Sequence, residues 1–281
     1  MEDLCVYLLN AIGAGASAST LDQLSQSPQS FNSGLYDLSY QIADVAVRPV
    51  TSVLLAVIFS IELSRVASKI DGDRQLGVQV VASVMFKCTL VFLAASNANL
   101  FLKAINGVEG FIVGQMQATA SSTGTLGAAK LGDNLRSSIS AAGVVGQSGL
   151  MVLLLLPFLA SVIAGVVLSV VTFMIFIQLD LMASFASLPI AFIASEETKQ
   201  MGIGFFKRYA STLFQAAVLW LGILFYRKLI ATTVQASDLK TAGDDLWGFV
   251  ISNFGNFFFG AILLIFLVMA SSSTSKAILG D

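Results

Sequence analysis

One long apolar run decides what this chain can fold into. Residues 149–195 comprise 47 residues and contain one charged side chain, Asp180. As a single helix they would extend about 70 Å, more than twice the hydrocarbon thickness of about 30 Å, so the run must bend back or leave the membrane. We predict a span from Leu150 to about Ile177, followed by a short element from Leu179 to Ala194. Pro189 should break that element, which is either re-entrant or interfacial.

Similar apolar windows recur elsewhere in the chain. They begin near Pro49, Leu76, Tyr209 and Leu246, and most approach the roughly 20 residues that a membrane-spanning helix needs. Hydrophobic residues make up 56% of the chain and charged residues 11%, whereas soluble domains carry about 25% charged residues. The sequence therefore predicts an all-α integral membrane protein with about five transmembrane helices.

The segment before the first span has an amphipathic pattern. Its apolar residues recur at helical spacing, and polar residues occupy the other face. The apolar set is Leu35, Leu38, Ile42 and Val45, and the polar set is Asp37, Gln41 and Asp44. We therefore predict an amphipathic N-terminal helix that extends the first span rather than crossing the membrane itself.

The whole chain, residues 1–281, is predicted to form a single membrane domain. Its parts are the amphipathic region 1–48, two spans in 49–114, a loop at 115–148, and three spans in 149–281 with the interfacial or re-entrant element at 179–208. The loop is rich in Ala, Ser, Gly and Thr, which cannot bury enough apolar area to form a core. We expect an aqueous loop, with a weak helix from Leu131 to Ala142, that orders against a partner or another copy.

Two ionisable residues interrupt the apolar runs: Lys87 lies within the predicted span that begins near Leu76, and Asp180 lies in the interfacial or re-entrant element. A charge at the bilayer centre costs roughly 2.5 to 3.5 kcal/mol, so Lys87 should face protein or water rather than lipid. It could pair across helices, snorkel to the surface, or line a pore. Lys87 and Asp180 together could also serve as ligands for a solute or an ion.

The sequence does not favour catalysis. It has no histidine, which excludes Ser-His-Asp triads and histidine-containing metal sites. The glycines around Lys130 lack the spacing of a phosphate-binding loop. Paired carboxylates such as Glu196 and Glu197 fit turn and helix-start positions. We therefore predict no enzymatic activity, no catalytic residue, no metal site and no cofactor.

A charged segment, residues 187–215, lies between two apolar regions. It reads SLPIA at 187–191, SEE at 195–197 and FKRY at 206–209, followed by Gln215 and an apolar span. This pattern resembles the TrbL-like family of polytopic conjugal-transfer proteins, which are inner-membrane subunits of type IV secretion systems. The specific resemblance covers about Leu179 to Leu221, and the general architecture covers most of the chain.

The resemblance implies a non-enzymatic channel or scaffold subunit in the cell (inner) membrane. Such proteins oligomerise around or beside a translocation path and work with the secretion ATPase and other envelope subunits. They support the transfer of DNA with its bound relaxase. The implied partners are therefore other secretion subunits, membrane lipid, further copies of the chain and, transiently, the transferred DNA or relaxase.

The charges of this charged segment suggest a docking hypothesis. We expect a cytoplasmic docking edge for a partner, with Pro189 holding the preceding element out of line with the next span. The residues of this edge are Glu196, Glu197, Lys199, Lys207 and Arg208. The alternative is a solvated connection whose basic residues only meet lipid headgroups.

Two other functions and the orientation stay open at this point. A stand-alone small-solute transporter or permease would use Lys87 and Asp180, and a holin-like protein would need fewer spans. With five spans, basic residues near the span ends number seven on each side, but on one side six crowd into two short connections. That clustering predicts an extracytoplasmic N-terminus and 115–148 loop and a cytoplasmic C-terminus.

Overall fold

The computed structural model is built from helices. It describes residues 1–68, 74–122, 130–233 and 246–280, and no strand occurs within these ranges. The helices are α1 (Glu2–Ala14), α2 (Ala18–Leu24), α3 (Pro28–Phe31), α4 (Ser33–Ile42), α5 (Arg48–Ala67), α6 (Arg74–Ser96), α7 (Ala98–Ser122), α8 (Leu131–Asn134), α9 (Arg136–Ala141), α10 (Gly143–Ser184), α11 (Ser187–Phe192), α12 (Lys199–Thr233) and α13 (Leu246–Leu279). The predicted all-α class is confirmed.

Six helical stretches in the described ranges are long and apolar enough to cross a membrane. They are Glu2–Leu24, Ser33–Ala67, Val78–Ser96, Gly143–Ser184, Lys199–Ile230 and Val250–Leu279. The sequence predicted about five spans, and the additional candidate is the N-terminal one. The amphipathic α4 continues into α5 through a π-helical turn at Ala43–Val47, so the two form one of the six stretches.

Short polar side chains start the small N-terminal helices. The hydroxyl of Ser17 accepts a hydrogen bond from the backbone N–H of Thr20, and the Asn32 side chain accepts one from Leu35. Ser27 does the same for Ser30 at the start of α3, where Pro28 occupies the first turn. These caps satisfy N–H groups that have no partner inside the helix.

Helix α10 differs from its prediction. It continues to Ser184 rather than ending near Ile177, so no separate element begins at Leu179. Pro189 does not interrupt a helix, because it is the third residue of the short α11. A proline is tolerated in a first turn, where its missing N–H has no helical acceptor. The helical breaks lie on either side of α11, at Phe185–Ala186 and between Ile193 and Thr198.

Helices also occupy much of the predicted loop at 115–148. Helix α7 extends to Ser122, α10 begins at Gly143, and α8 and α9 lie between them. The predicted weak helix from Leu131 to Ala142 corresponds to the two short helices α8 and α9. Small residues here form helices because α8 and α9 pack on α1 and bury Leu135 and Ile139.

The chain divides into two compact units. The first comprises Met1–Ser25, Phe111–Met174 and Gln215–Ser275. Within it, Asn10 Oδ1 accepts hydrogen bonds from the backbone N–H groups of Gly132 at 2.8 Å and Asp133 at 3.4 Å. Arg136 pairs with Asp3 at 2.8 Å and lies 3.9 Å from Glu2. These contacts fix α8 and α9 against α1.

Buried polar contacts also hold the C-terminal end of α1 in this unit. The Tyr226 hydroxyl donates to the carbonyl oxygen of Ile12 at 3.0 Å. Arg227 is 6% exposed, and its guanidinium donates to the carbonyl oxygens of Ala14 and Ala16, both at 3.1 Å. Carbonyls at the end of a helix lack internal partners and carry partial negative charge, so a buried cation there satisfies both needs.

The second unit comprises Gln26–Gly110, Ile175–Phe214 and Lys276–Asp281. Helix α5 packs against α6 and α11. The hydroxyls of Thr51 and Ser187 are 2.9 Å apart across the contact between α5 and α11. The rings of Phe31 and Phe176 stack with centroids 4.1 Å apart. This unit contains every residue of the predicted docking edge and also Lys87 and Asp180, the two residues predicted to be intramembrane.

Candidate functional site

The predicted docking edge lies at the start of α12 and in the connection before it. Thr198 donates to the carbonyl oxygen of Phe192 at 2.7 Å, which folds the connection back onto α11. Gly202 lies against the carbonyl oxygen of Pro189, where a Cβ atom would have no room. These two contacts set the close approach of α12 to α11. They also give Pro189 a role different from the predicted break, since its carbonyl forms part of the helix contact.

All five predicted docking residues are exposed, but they do not form one continuous edge. Glu196 and Glu197 lie in the connection, and Lys199 begins α12. At about 100° per residue, Lys207 lies roughly 80° around the helix from Lys199, whereas Arg208 lies about 180° from it. The structure therefore separates Arg208 from the side of α12 that carries Lys199.

One member of the docking edge has an ion-pair partner that the sequence did not indicate. Arg65, in the last turn of α5, contacts Glu197 and also lies 3.4 Å from Glu62. Glu62 and Arg65 are three positions apart on α5, a spacing that brings their side chains together on one side of the helix. Glu197 therefore helps to attach the connection to α5. Within the described residues, no ion pair forms at Glu196, Lys199, Lys207 or Arg208.

A second group of polar residues, which we call the tyrosine cluster, lies inside the same unit. It comprises Tyr36, Tyr40, Lys103, Asn106, Glu109, Asp180 and Tyr209. Tyr36 donates to the Tyr40 hydroxyl at 2.9 Å, and Lys103 Nζ lies 5.9 Å from the centroid of the Tyr40 ring. The Tyr209 hydroxyl donates to Asn106 Oδ1 at 2.9 Å.

Two acidic residues belong to the tyrosine cluster. Asp180 is 8% exposed and interacts electrostatically with Tyr40 and Tyr209. Glu109 is 3% exposed and also interacts with Tyr209. Helix α7 is not among the six candidate spans, and burial raises the pKa of the Glu109 carboxyl to about 7. Glu109 can therefore gain or lose a proton near neutral pH.

The tyrosine cluster was largely missed by sequence reasoning, which singled out only Asp180. A signal was present in α7, because Lys103, Asn106 and Glu109 follow one another at intervals of three residues. That spacing places polar groups along one side of a helix. The tyrosines gave no such signal, since Tyr36, Tyr40 and Tyr209 meet only after the chain has folded.

Lys87 and Asp180 have different environments. Lys87 is exposed at the middle of the Val78–Ser96 span, and its neighbours Met85, Phe86 and Leu90 are exposed as well. Asp180 is buried beside a groove of about 230 Å³ that Leu35, Leu38 and Ile42 help to line. Within the described part of the chain, no hydrogen bond or ion pair joins Lys87 to Asp180. No group of three or more metal-ligating side chains forms in that part either.

Comparison with known protein families gives a match over the first two thirds of the chain. A family model described as TrbL/VirB6 plasmid conjugal transfer like protein matches residues 15–187, which is more than half of the chain. The matched region ends at Ser187, where the charged segment begins. Most of the residues that carry the resemblance to the TrbL-like family therefore lie outside the matched region. No curated protein and no solved structure matches the chain significantly.

Proposed function

We propose, from the premise that this chain belongs to the TrbL/VirB6 plasmid conjugal transfer like family, that it is a membrane channel or scaffold subunit of a conjugative type IV secretion system. In this proposal it oligomerises in the cell membrane and supports the transfer of DNA with its relaxase. The family match over residues 15–187 carries the proposal. Six apolar helical stretches, which suit a multi-pass membrane protein, support it.

We propose a structural role for the subunit rather than a catalytic one, in line with its family. Its partners in this proposal are the secretion ATPase and other envelope subunits. Glu196, Lys199 and Lys207 support the docking hypothesis because they are exposed at the start of α12. Glu197 contributes less, since Arg65 already binds it. Arg208 faces another side of the helix and would contact a different surface or lipid.

The test of the proposed function is a mating assay. Deletion of the gene should abolish transfer of the element that carries it, and the wild-type gene supplied in trans should restore transfer. Unchanged transfer after deletion would refute the proposal.

A second assay tests the docking edge. Lys207→Glu should lower both transfer and co-purification with the secretion ATPase, because it reverses the charge presented to an acidic partner surface. Lys276→Glu is the matched control, since Lys276 is also exposed near the end of a span. If both variants transfer at the wild-type rate and retain the complex, the basic residues serve only as interfacial anchors.

Helix α6 supports the proposed oligomer. Only 6% of its span is buried, and Lys87 is exposed at the middle of that span. A lysine at this depth is costly when it faces lipid. We propose that the face of α6 around Lys87 contacts a neighbouring copy or the water of a shared path.

We propose that five of the six candidate stretches cross the membrane and that Glu2–Leu24 does not. Helix α1 has 13 residues and extends about 20 Å, which is shorter than the hydrocarbon core. Gly15, with φ of 64°, separates α1 from α2. Five crossings place the termini on opposite sides, as the predicted extracytoplasmic N-terminus and cytoplasmic C-terminus require. A fluorescent protein fused to the C-terminus should therefore fluoresce, whereas alkaline phosphatase fused there should be inactive.

A further inference from the structure

An open groove lies between α7 and α12 in the first unit. Its volume is about 580 Å³, and apolar side chains form most of its lining. The main lining residues are Phe111, Met116 and Ala120 of α7 and Leu221, Phe225 and Lys228 of α12. None of these residues belongs to the docking edge or the tyrosine cluster, so the groove is a separate feature of the molecule.

The position of the groove matches the boundary between hydrocarbon and headgroups. Leu221–Lys228 are close to the end of the Lys199–Ile230 stretch. These residues extend about 10 Å along the helix, and Phe111–Ala120 extend about 13 Å. One leaflet contributes about 15 Å of hydrocarbon, so the α12 side of the groove follows about two thirds of the depth of a leaflet.

The charged residues at this end of α12 have separate roles. Arg227 points into the protein and binds the carbonyl oxygens of Ala14 and Ala16. Lys228 is exposed at the groove, and no acidic side chain pairs with it among the described residues. Its ammonium group therefore has donors available for an anion outside the chain. Basic pockets between membrane helices are typical sites for anionic lipid headgroups.

We propose that this groove binds an acyl chain of an anionic phospholipid, with the headgroup phosphate accepting hydrogen bonds from Lys228. The apolar lining suits a hydrocarbon chain, and Lys228 supplies the opposite charge at the depth of the headgroup. A helix of a second copy fits less well. A helix is about 10 Å across, so a helical segment as long as the groove occupies more volume than the groove provides. This lipid site does not depend on the proposed role of the subunit in transfer.

Native mass spectrometry of the full-length protein in detergent tests this site. The probes are phosphatidylglycerol and phosphatidylcholine with identical acyl chains, added separately at equal concentrations. Phosphatidylglycerol should be retained about fivefold more, since one lysine near a membrane surface contributes about that factor for anionic lipid. Lys228→Gln should reduce the retention of phosphatidylglycerol to that of phosphatidylcholine. Lys276→Gln, at an exposed lysine outside the groove, should leave the preference unchanged.

A groove-filling variant tests the acyl chain independently of the charge. Ala120→Phe should reduce the retention of both lipids because the new ring occupies the groove. Val152→Phe adds the same ring at an exposed position on α10 and should not reduce retention.

Equal retention of the two lipids by the wild-type protein would overturn the proposal, whether or not the variants fold. So would equal losses in Lys228→Gln and Lys276→Gln. If Ala120→Phe lowers the oligomeric mass while lipid retention stays the same, a second copy rather than a lipid occupies the groove.

Discussion

At the scale of single residues, Arg227 and Lys228 show that adjacent cationic side chains on one helix can have different roles. Successive residues on a helix point about 100° apart, so one can be buried while the next is exposed. Arg227 is 6% exposed and binds the end of α1, whereas Lys228 is exposed at the groove. In the sequence, both simply follow the apolar run that begins near Tyr209. Their separate roles depend on α1, which is more than 200 residues away in the chain.

Arg227→Ala should destabilise the protein strongly. The substitution removes the side-chain donors to the carbonyl oxygens of Ala14 and Ala16 and leaves Ala14 only the backbone N–H of Ala16. This loss should lower the free energy of unfolding by about 2 to 4 kcal/mol. The measurement is the thermal unfolding midpoint in detergent. Arg208→Ala on the same helix is the control, and since Arg208 is exposed its effect should stay within about 0.5 kcal/mol. Equal effects of the two variants would contradict this role of Arg227.

Glu109 should make stability depend on pH. Burial raises its pKa in the folded state from 4.5 to about 7, so between these values the folded chain holds a proton that the unfolded chain has released. Stability is therefore greatest at low pH for this group and falls as the pH rises towards 7. The loss should be on the order of 3 kcal/mol.

Unfolding midpoints measured across this pH range check the prediction. Glu109→Gln should remove the share of the dependence that Glu109 contributes, because the amide does not titrate. A pH profile for Glu109→Gln that is as steep as that of the wild type would show that another group is responsible.

At the scale of elements, the contact of α8 with α1 depends on a residue without a side chain. A Cβ atom at Gly132 would overlap the backbone of Val6, which cannot move aside as a flexible side chain could. Gly132→Ala should therefore cost about 1 to 3 kcal/mol.

Gly204→Ala provides the matched control on α12. Gly204 lies inside a helix and has nothing within 4 Å of the position of a Cβ atom. Alanine should stabilise the protein there by about 0.5 to 1 kcal/mol, because glycine is a poor helix former. The two variants should shift the unfolding midpoint in opposite directions, and shifts of the same sign would argue against the close contact.

The helices themselves could largely be predicted, but their ends could not. Apolar runs revealed the long helices because a membrane span needs about 20 apolar residues. Proline misled the prediction at Pro189, which lies in a first turn instead of breaking a helix. Pro157 lies inside α10 without ending it, as the predicted span from Leu150 requires. Neighbouring helices and local adjustment can satisfy the backbone around such a proline. The small residues of 131–141 gave no sign of burial, because α1 supplies the surface on which they pack.

At the scale of the whole molecule, the proposed oligomer can be tested with a native cysteine. Cys88 follows Lys87 on α6 and is half-buried, whereas the other cysteine, Cys5, is buried. If α6 meets α6 of another copy, a bismaleimide should link two chains through Cys88 in isolated membranes. The check is a dimer band on a denaturing gel. Cys88→Ser should remove the band and Cys5→Ser should keep it; a wild-type chain that stays monomeric would exclude this contact.

Composition was enough to predict the class of the molecule. The resemblance named the family that the comparison shows, although the charged segment lies mainly outside the matched residues 15–187. The tyrosine cluster and the lipid groove were out of reach, because their residues come from helices far apart in the sequence. Tyr209 and Asn106, for example, are 103 positions apart. The docking edge was predicted as one surface because its residues are close in sequence. Helical rotation then placed Arg208 on another side from Lys199.

The attachment of α1 also dictates when this protein can finish folding. The ribosome releases α1 before α12, and the side-chain donor for the carbonyl oxygen of Ala16 follows 211 positions after it. A partially synthesised chain must therefore keep the end of α1 in a provisional environment, of water, lipid headgroup or chaperone, until most of α12 has emerged. Ribosome-bound chains that stop before Arg227 should leave α1 accessible to protease, whereas chains that extend well past it should protect α1.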